Sequence, residues 1–191
     1  MADDIVEKGL WDHYSELPNP AWYEYKNNMK MKGKIITQHG TMVLEFFEKD
    51  APNTVNNFVK LAKMGFYENH KFHRVIPGFV AQGGCPLGTG IGGPGYEILC
   101  ETTGENQYHD KGVLSMAHAG TNTGGSQFFL VHERTTTQHL DRKHTCFGRV
   151  IEGLEMINKI KQGETFNIEI EGGEQHPEDI LVETIMKTGT F

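Results

Sequence analysis

The chain has 191 residues, 37% hydrophobic and 23% charged, which suits one globular domain with a sizeable core. A formal net charge of −7 argues against nucleic acid as the main partner, because phosphate binding needs a basic face. No apolar run is long enough to predict a membrane span, and no basic-then-apolar start marks a secretory signal. Three cysteines without short paired spacing then favour free thiols and a cytoplasmic location.

Residues 1–30 differ from the rest, since they hold both tryptophans and three tyrosines around Pro18-Asn19-Pro20. We interpret them as an N-terminal extension to a single domain over residues 31–191. Aromatic side chains on short extensions usually bury apolar surface, which favours an ordered arm packed on the domain. The alternative is a docking element for another protein.

The first predicted elements are a β-hairpin and a helix. Residues 34–37 and 41–47 alternate as strands around a His39-Gly40 turn. A helix begins at Pro52, where the missing N–H costs nothing, and Gly65 ends it. Its apolar residues recur at helical spacing: Val55, Phe58, Val59 and Ala62.

The remainder reads as short strands separated by glycine-rich joints, the pattern of a β-barrel. These strands are predicted at 71–76, 79–83, 96–99, 113–117, 127–131 and 146–150. A second helix is predicted over 154–161, and the tail alternates again at 168–170 and 181–185.

Three motifs carry little weight. Gly88–Gly93 satisfies G-x-G-x-x-G, but no helix follows it, so we predict a flexible loop rather than a nucleotide site. His70 and His73 would lie on opposite faces of a strand, and no further ligands complete a metal set. Ser126 does not lie in a G-x-S-x-G turn. A metal-dependent barrel enzyme stays a remote alternative.

The run from Phe72 to Gly84 carries the strongest signal. In an extended segment Phe72, Arg74 and Ile76 share one face, and a turn at Pro77-Gly78 can bring Phe79 and Gln82 to the same surface. An arginine on an apolar wall beside a carboxamide is unusual, because burying a charge is costly without a partner or a role.

Three further segments follow this run: 112–120, 122–129 and 140–150. Together the four segments resemble the cyclophilin family of peptidyl-prolyl cis–trans isomerases, in the family's order and over residues 34–161. The compact loop at 86–95 is similar to that of bacterial cytoplasmic members. The resemblance implies a mainly β fold, a closed eight-stranded antiparallel β-barrel capped by two α-helices. It also implies a monomer that isomerises X–Pro bonds in proline-containing polypeptides and assists protein folding, with no cofactor and no metal.

Carried over position by position, the resemblance assigns catalytic roles to Arg74, to Phe79 as the aromatic floor of a proline pocket, and to Gln82 as a partner of the substrate backbone. The implied substrate-binding residues are Val80, Ala117, His118, Ala119, Thr123, Gly124, Gln127, Phe129, His139, Leu140 and His144. Of these, Gln127 with Ala119, Thr123 and Gly124 would edge the pocket for the residue two before proline.

Two positions depart from the family pattern. His118 replaces the usual asparagine at a contact made chiefly by backbone atoms. His139 stands where many members carry a tryptophan that binds cyclosporin, so we expect drug binding to be possible but weakened.

Each position also has a purely structural interpretation. Phe79, Phe129 and Leu140 could be core residues, and Arg74 could pair with Glu101. A proline-binding module with little turnover is the functional alternative.

Overall fold

The structure is a computed structural model that describes residues 30–173 and 175–185, so the predicted extension lies outside the described residues except for Lys30. The described part is mainly β, a curled antiparallel sheet of nine strands in the order β3-β9-β1-β2-β8-β6-β7-β5-β4. The strands are β1 (Lys32–Thr37), β2 (Gly40–Phe46), β3 (His70–Lys71), β4 (Arg74–Ile76), β5 (Val80–Gly83), β6 (Val113–Met116), β7 (Phe128–Val131), β8 (Cys146–Glu152) and β9 (Thr165–Glu171).

The core lies on the inner face of this sheet. Ala81, Leu130 and Leu114 stand opposite one another on β5, β7 and β6, and none has exposed surface. Because side chains alternate along a strand, the neighbouring row on the same strands points to the other face. That outer row carries the functional site.

Helix α1 (Pro52–Lys63) covers the core, and its predicted apolar stripe is confirmed. Val55, Phe58 and Val59 are buried, and the Phe58 ring meets Phe128 edge-on with 5.5 Å between centroids. The helix lacks a side-chain cap at Ala51. Glu101 supplies one from a distant loop, accepting the N–H of Thr54 at 2.7 Å and of Asn53 at 3.2 Å.

The prediction of a closed eight-stranded barrel is wrong in detail. The segment expected as one strand over 71–76 is divided at Phe72-His73, which leaves β3 and β4 as separate ends of the described sheet. β3 pairs with β9, whereas β4 pairs with β5. Phe72 therefore turns into the core with no exposed surface while Arg74 stays exposed, so the two do not share a face.

The prediction of two capping α-helices also needs correction. The second segment forms a 3₁₀ helix at Leu154–Lys159, six residues long between Gly153 and an extended Ile160. So short a segment gains few hydrogen bonds, and 3₁₀ geometry is the usual outcome. A single α-helical turn occurs instead as α2 (Arg134–Thr137), and shorter 3₁₀ turns lie at Gln138–Leu140 and Pro177–Asp179.

Two predicted strands do not form. Residues 96–99 make only isolated bridges, Glu97 with Ile185 and Ile98 with Gly124. The tail 181–185 has no ladder, because the Asn53 side chain takes the place of a neighbouring strand and bonds both backbone groups of Glu183.

Candidate active site

The site begins with a row of side chains across three strands. Arg74 on β4 lies opposite Gln82 on β5, and Gln82 lies opposite Phe129 on β7. Directly opposed residues point to the same face of a sheet, here the face away from the core row. The fold thus places a cation, a carboxamide and an aromatic ring side by side.

These residues border a groove of about 810 Å³ on the outer face of the sheet. All the residues predicted for the site line it except Gly124 and His139. The predicted residues that line it are Arg74, Phe79, Val80, Gln82, Ala117, His118, Ala119, Thr123, Gln127, Phe129, Leu140 and His144.

One wall of the groove is apolar. Val80 and Phe129 are 2% and 4% exposed and belong to a small second core, against which Phe79, Ala117 and Leu140 pack. The structural interpretation therefore holds for Phe129, which is a core residue, whereas Phe79 and Leu140 are half-buried residues that pack against this core. A buried apolar surface of this kind favours an apolar ring over a charged or strongly dipolar group.

Arg74 is held by amide oxygen rather than by a carboxylate. Its Nη1 donates to Gln82 Oε1 at 3.2 Å, and Gln82 Nε2 donates to Gln127 Oε1 at 3.1 Å. The suggested pairing with Glu101 is wrong, because that carboxylate caps α1. No described residue forms an ion pair with Arg74, so its charge stays available to a ligand.

A second wall consists of two stacked imidazoles. His118 and His144 lie 3.9 Å apart between ring centroids and within 5° of parallel. His144 Nδ1 donates to the Met116 carbonyl at 2.9 Å, and His118 Nε2 donates to that of Lys143 at 2.9 Å. Burial lowers the pKa of His144, and the neighbouring His118 adds to this effect, so that the pKa is about 4. The hydrogen bond to the Met116 carbonyl raises this pKa but does not outweigh burial.

The loop after His118 is held by its own side chains. Thr123 Oγ1 accepts the N–H of Ala119 at 3.0 Å and donates to Gly120 O at 2.8 Å. Gly124 lies beneath this edge, where a Cβ would come within 2.9 Å of Met116. His139 stacks on the groove residue Phe79, 6.1 Å between centroids and 7° from parallel, without lining the groove.

Comparison with known proteins identifies the family. The family model "Cyclophilin type peptidyl-prolyl cis-trans isomerase/CLD" matches residues 32–185. The chain belongs to the cyclophilin family. Among its relatives, a Helicobacter pylori peptidyl-prolyl cis-trans isomerase is 54% identical over 74% of this chain and 89% of its own. Peptidyl-prolyl cis-trans isomerase B of Bacillus subtilis is 52% identical over 73% of this chain and 98% of its own.

A solved structure has the same fold. The cyclophilin type peptidyl-prolyl cis-trans isomerase of Cryptosporidium parvum, determined in the presence of the dipeptide Ala-Pro, is 34% identical. It superimposes with a TM-score of 0.67 and covers 74% of this chain and 99% of its own. This chain is thus an isomerase of the cyclophilin type.

Sequence reasoning missed the loop that forms the far side of the cyclophilin groove. Residues 90–97 line it, and Gln127 Nε2 donates to the carbonyls of Gly90 and Gly92 at 2.8 and 2.9 Å. The prediction made 88–93 merely a flexible loop. No sequence signal gives its position, because the bonds join residues 35 and more positions apart.

A buried polar cluster behind Phe129 was also missed. Ser115 Oγ lies 2.8 Å from His109 Nε2, and His109 Nδ1 lies 3.0 Å from Asp141 Oδ1. The order is that of a hydrolase triad, yet Ser115 and His109 have no exposed surface and no substrate can reach them. His109 instead stacks on the Phe129 ring at 5.7 Å and 15°, which fixes the pocket wall.

Among residues 30–173 and 175–185 no three His, Cys, Asp or Glu side chains are grouped to hold a metal ion. In the same part of the chain no helix has the length and apolar character needed to cross a membrane.

Proposed function

We propose that this cyclophilin-type isomerase twists X–Pro bonds in the outer groove, with Arg74 as the group that stabilises the twisted amide. The observation that carries the proposal is the row of Arg74, Gln82 and Phe129 across β4, β5 and β7, which sets a free cation beside an apolar pocket. The relative that was determined in the presence of Ala-Pro supports a proline-containing ligand.

Arg74 acts on the amide nitrogen. The X–Pro bond resists rotation because resonance gives C–N partial double-bond character, with a barrier of about 20 kcal/mol. Twisting removes the resonance and leaves a lone pair on the prolyl nitrogen. A guanidinium N–H aimed at that lone pair stabilises the twisted form and does little for the planar one, which is the differential binding that catalysis requires.

The apolar wall supplies a second contribution. The planar amide is the more dipolar form, so a site built by Phe79, Val80, Phe129 and Leu140 disfavours it relative to the twisted form. Gln82 and the backbone near Ala117 and His118 hold one side of the bond while the other turns, which is a positioning effect. The Ala119–Gln127 edge, with Thr123 and Gly124, receives the residue two before proline.

His139 gives cyclosporin no indole N–H, so we expect weak binding of the drug. We also propose a cytoplasmic monomer with one isomerase domain over residues 31–191.

The test is prolyl cis–trans exchange in a short Ala-Pro peptide, followed by NMR with wild type, Arg74→Ala and Arg149→Ala. A charge-assisted hydrogen bond contributes about 1.5–3 kcal/mol, so Arg74→Ala should lower kcat/KM by about tenfold to hundredfold. Arg149 is the matched control, because it is exposed and pairs with Glu45 away from the groove. Equal loss in both variants would contradict the role of Arg74. Binding without exchange by wild type would favour the proline-binding module.

A further inference from the structure

The loop on the far side of the groove folds around a thiol. Cys85 is 1% exposed, and its Sγ accepts the N–H of Gly90 at 3.3 Å and of Gly92 at 3.2 Å. Burial raises the pKa of the Cys85 thiol, but the surrounding backbone N–H groups outweigh it and hold that pKa below the ordinary value. The sulfur therefore serves as an electron-rich acceptor that closes the loop.

The position of Cys85 is itself fixed by the residue before it. Gly84 has φ of +88°, and a Cβ there would lie 2.4 Å from the Ser126 carbonyl oxygen. Ser126 Oγ also donates to Gly84 O at 2.7 Å. The contact between Gly84 and Ser126 therefore fixes two neighbours at once. Cys85 follows Gly84 in the chain, and Gln127 follows Ser126.

The closed loop sets the direction of one carboxamide. With their N–H groups turned to Cys85, Gly90 and Gly92 aim both carbonyls at Gln127 Nε2, at 2.8 and 2.9 Å. The two carbonyl oxygens are both acceptors, so the Gln127 NH₂ group must face them. The Gln127 side-chain oxygen has no hydrogen to donate and could not bond to either carbonyl. Gln127 Oε1 then faces the other way, toward Gln82.

The same logic passes to the next carboxamide. Gln82 must present Nε2 to Gln127 Oε1, and the bond is 3.1 Å long. Its own oxygen is thereby left for Arg74 Nη1 at 3.2 Å. If the Gln82 carboxamide were rotated by 180°, its NH₂ group would face the Arg74 guanidinium. Both groups are donors, so no hydrogen bond could form between them. The arginine receives a neutral acceptor that orients it without cancelling its charge.

We propose that Cys85 is a positioning residue for Arg74, acting through the Gly90 and Gly92 backbone and the side chains of Gln127 and Gln82. The proposal rests on the proposed function of Arg74. When the loop closes on the Cys85 thiol, the carboxamides of Gln127 and Gln82 each have one orientation that satisfies their hydrogen bonds. In that orientation Gln82 Oε1 faces the Arg74 guanidinium.

The experiment compares wild type with Cys85→Ala, Cys85→Ser and Gln127→Glu. Cys85→Ala loses the acceptor, and we expect kcat for the Ala-Pro peptide to fall about threefold to tenfold, as for loss of a neutral hydrogen bond, with KM nearly unchanged. Cys85→Ser keeps an acceptor and should recover most of kcat. Cys100→Ala is the matched control, since that thiol accepts an N–H from Asn122 outside this chain of bonds.

Side-chain ¹⁵N NMR distinguishes a positioning role of Cys85 from a purely structural one, because a purely structural role would leave the Gln82 and Arg74 resonances unchanged. In Cys85→Ala the resonances of the Gln82 carboxamide and of Arg74 Nε should shift, and in Cys100→Ala they should stay in place. Gln127→Glu leaves the thiol intact but cannot donate to Gly90 and Gly92, so it should produce the same shifts. This variant also covers the case in which Cys85→Ala fails to fold.

Two outcomes would overturn the proposal. One is unchanged Gln82 and Arg74 resonances in Cys85→Ala, or in Gln127→Glu where Cys85→Ala does not fold. The other is a rise in KM alone with kcat intact, which would make the loop only a wall for substrate. If wild type showed no exchange, the proposed function would fail, whereas the NMR shifts would still decide whether Cys85 orients Arg74.

Discussion

His118 and His144 form a stacked pair in the wall of the groove. The imidazole of His118 lies flat on that of His144, and each ring is held by a backbone carbonyl, from Lys143 and Met116. Two neutral rings stack without cost, but two protonated rings at 3.9 Å would repel each other. Burial and the stacked neighbour together therefore oppose a proton on His144 and lower its pKa.

This arrangement predicts a loss of stability in acid. The pKa of His144 is about 4 in the folded protein and near 6.5 when unfolded. Between these values the unfolded chain binds the extra proton, so stability is complete above about pH 6.5 and declines as the pH falls toward 4. At pH 5 unfolding should take up close to one proton through His144. The measurement is Tm from pH 7 to pH 4.5 for wild type and His144→Gln, and the variant should show the smaller decline.

The exposed His176 provides the control for this experiment. His176→Gln should follow the wild-type decline. A His144→Gln profile parallel to wild type would show that the stacked pair does not contribute to acid sensitivity.

At the scale of elements, helix α1 depends on a residue outside itself. Glu101 accepts the N–H groups of Asn53 and Thr54 and the Thr54 hydroxyl, while its own N–H donates to Thr145 Oγ1 at 2.9 Å. A carboxylate at a helix N-terminus satisfies orphan donors and opposes the positive end of the helix dipole. Through Thr145, this cap also ties the helix to the segment that carries His144.

Replacing this cap should destabilise the protein measurably. We expect Glu101→Gln to lower the free energy of unfolding by about 1 kcal/mol, as for loss of a helix cap, and Glu101→Ala to lower it further. Urea unfolding monitored by circular dichroism measures the change. Glu105→Gln, at an exposed glutamate of the same loop, should leave the free energy unchanged, and an equal loss there would refute the capping role.

The elements also show how far sequence patterns reach. Alternation and helical spacing located the hairpin β1–β2, strands β5 to β8 and the stripe of α1, since those patterns depend on residues near in sequence. The division of 71–76 was not predictable, because Phe72 turns inward only where the chain changes partner from β9 to β5. The role of 90–97 likewise depends on Gln127, and the cap of α1 on Glu101.

At the scale of the whole molecule, the C-terminal segment is attached by side chains instead of a ladder. The Asn53 carboxamide donates to Glu183 O at 2.9 Å and accepts its N–H at 2.7 Å, as a neighbouring peptide group would. Two residues further on, Ile185 exchanges two backbone bonds with Glu97, a residue that lines the groove. The C-terminal segment is thus hydrogen-bonded directly to a residue of the groove lining.

Asn53→Ala should free this attachment without unfolding the domain. Loss of two neutral hydrogen bonds corresponds to about tenfold to hundredfold faster local opening, seen as amide hydrogen exchange at Glu97 and Ile185. Asn56→Ala removes a single bond to Leu181 O and should have a smaller effect. Unchanged exchange in Asn53→Ala would mean that the tail is held by its other contacts.

The sheet order has a consequence for synthesis of the chain. β1 has β2 on one side, but its other neighbour is β9, at Thr165–Glu171. A nascent chain that has not yet reached those residues exposes the β1 backbone as an unpaired edge, which is open to pairing with other chains. The isomerase therefore completes the sheet of its described residues only when β9 has left the ribosome.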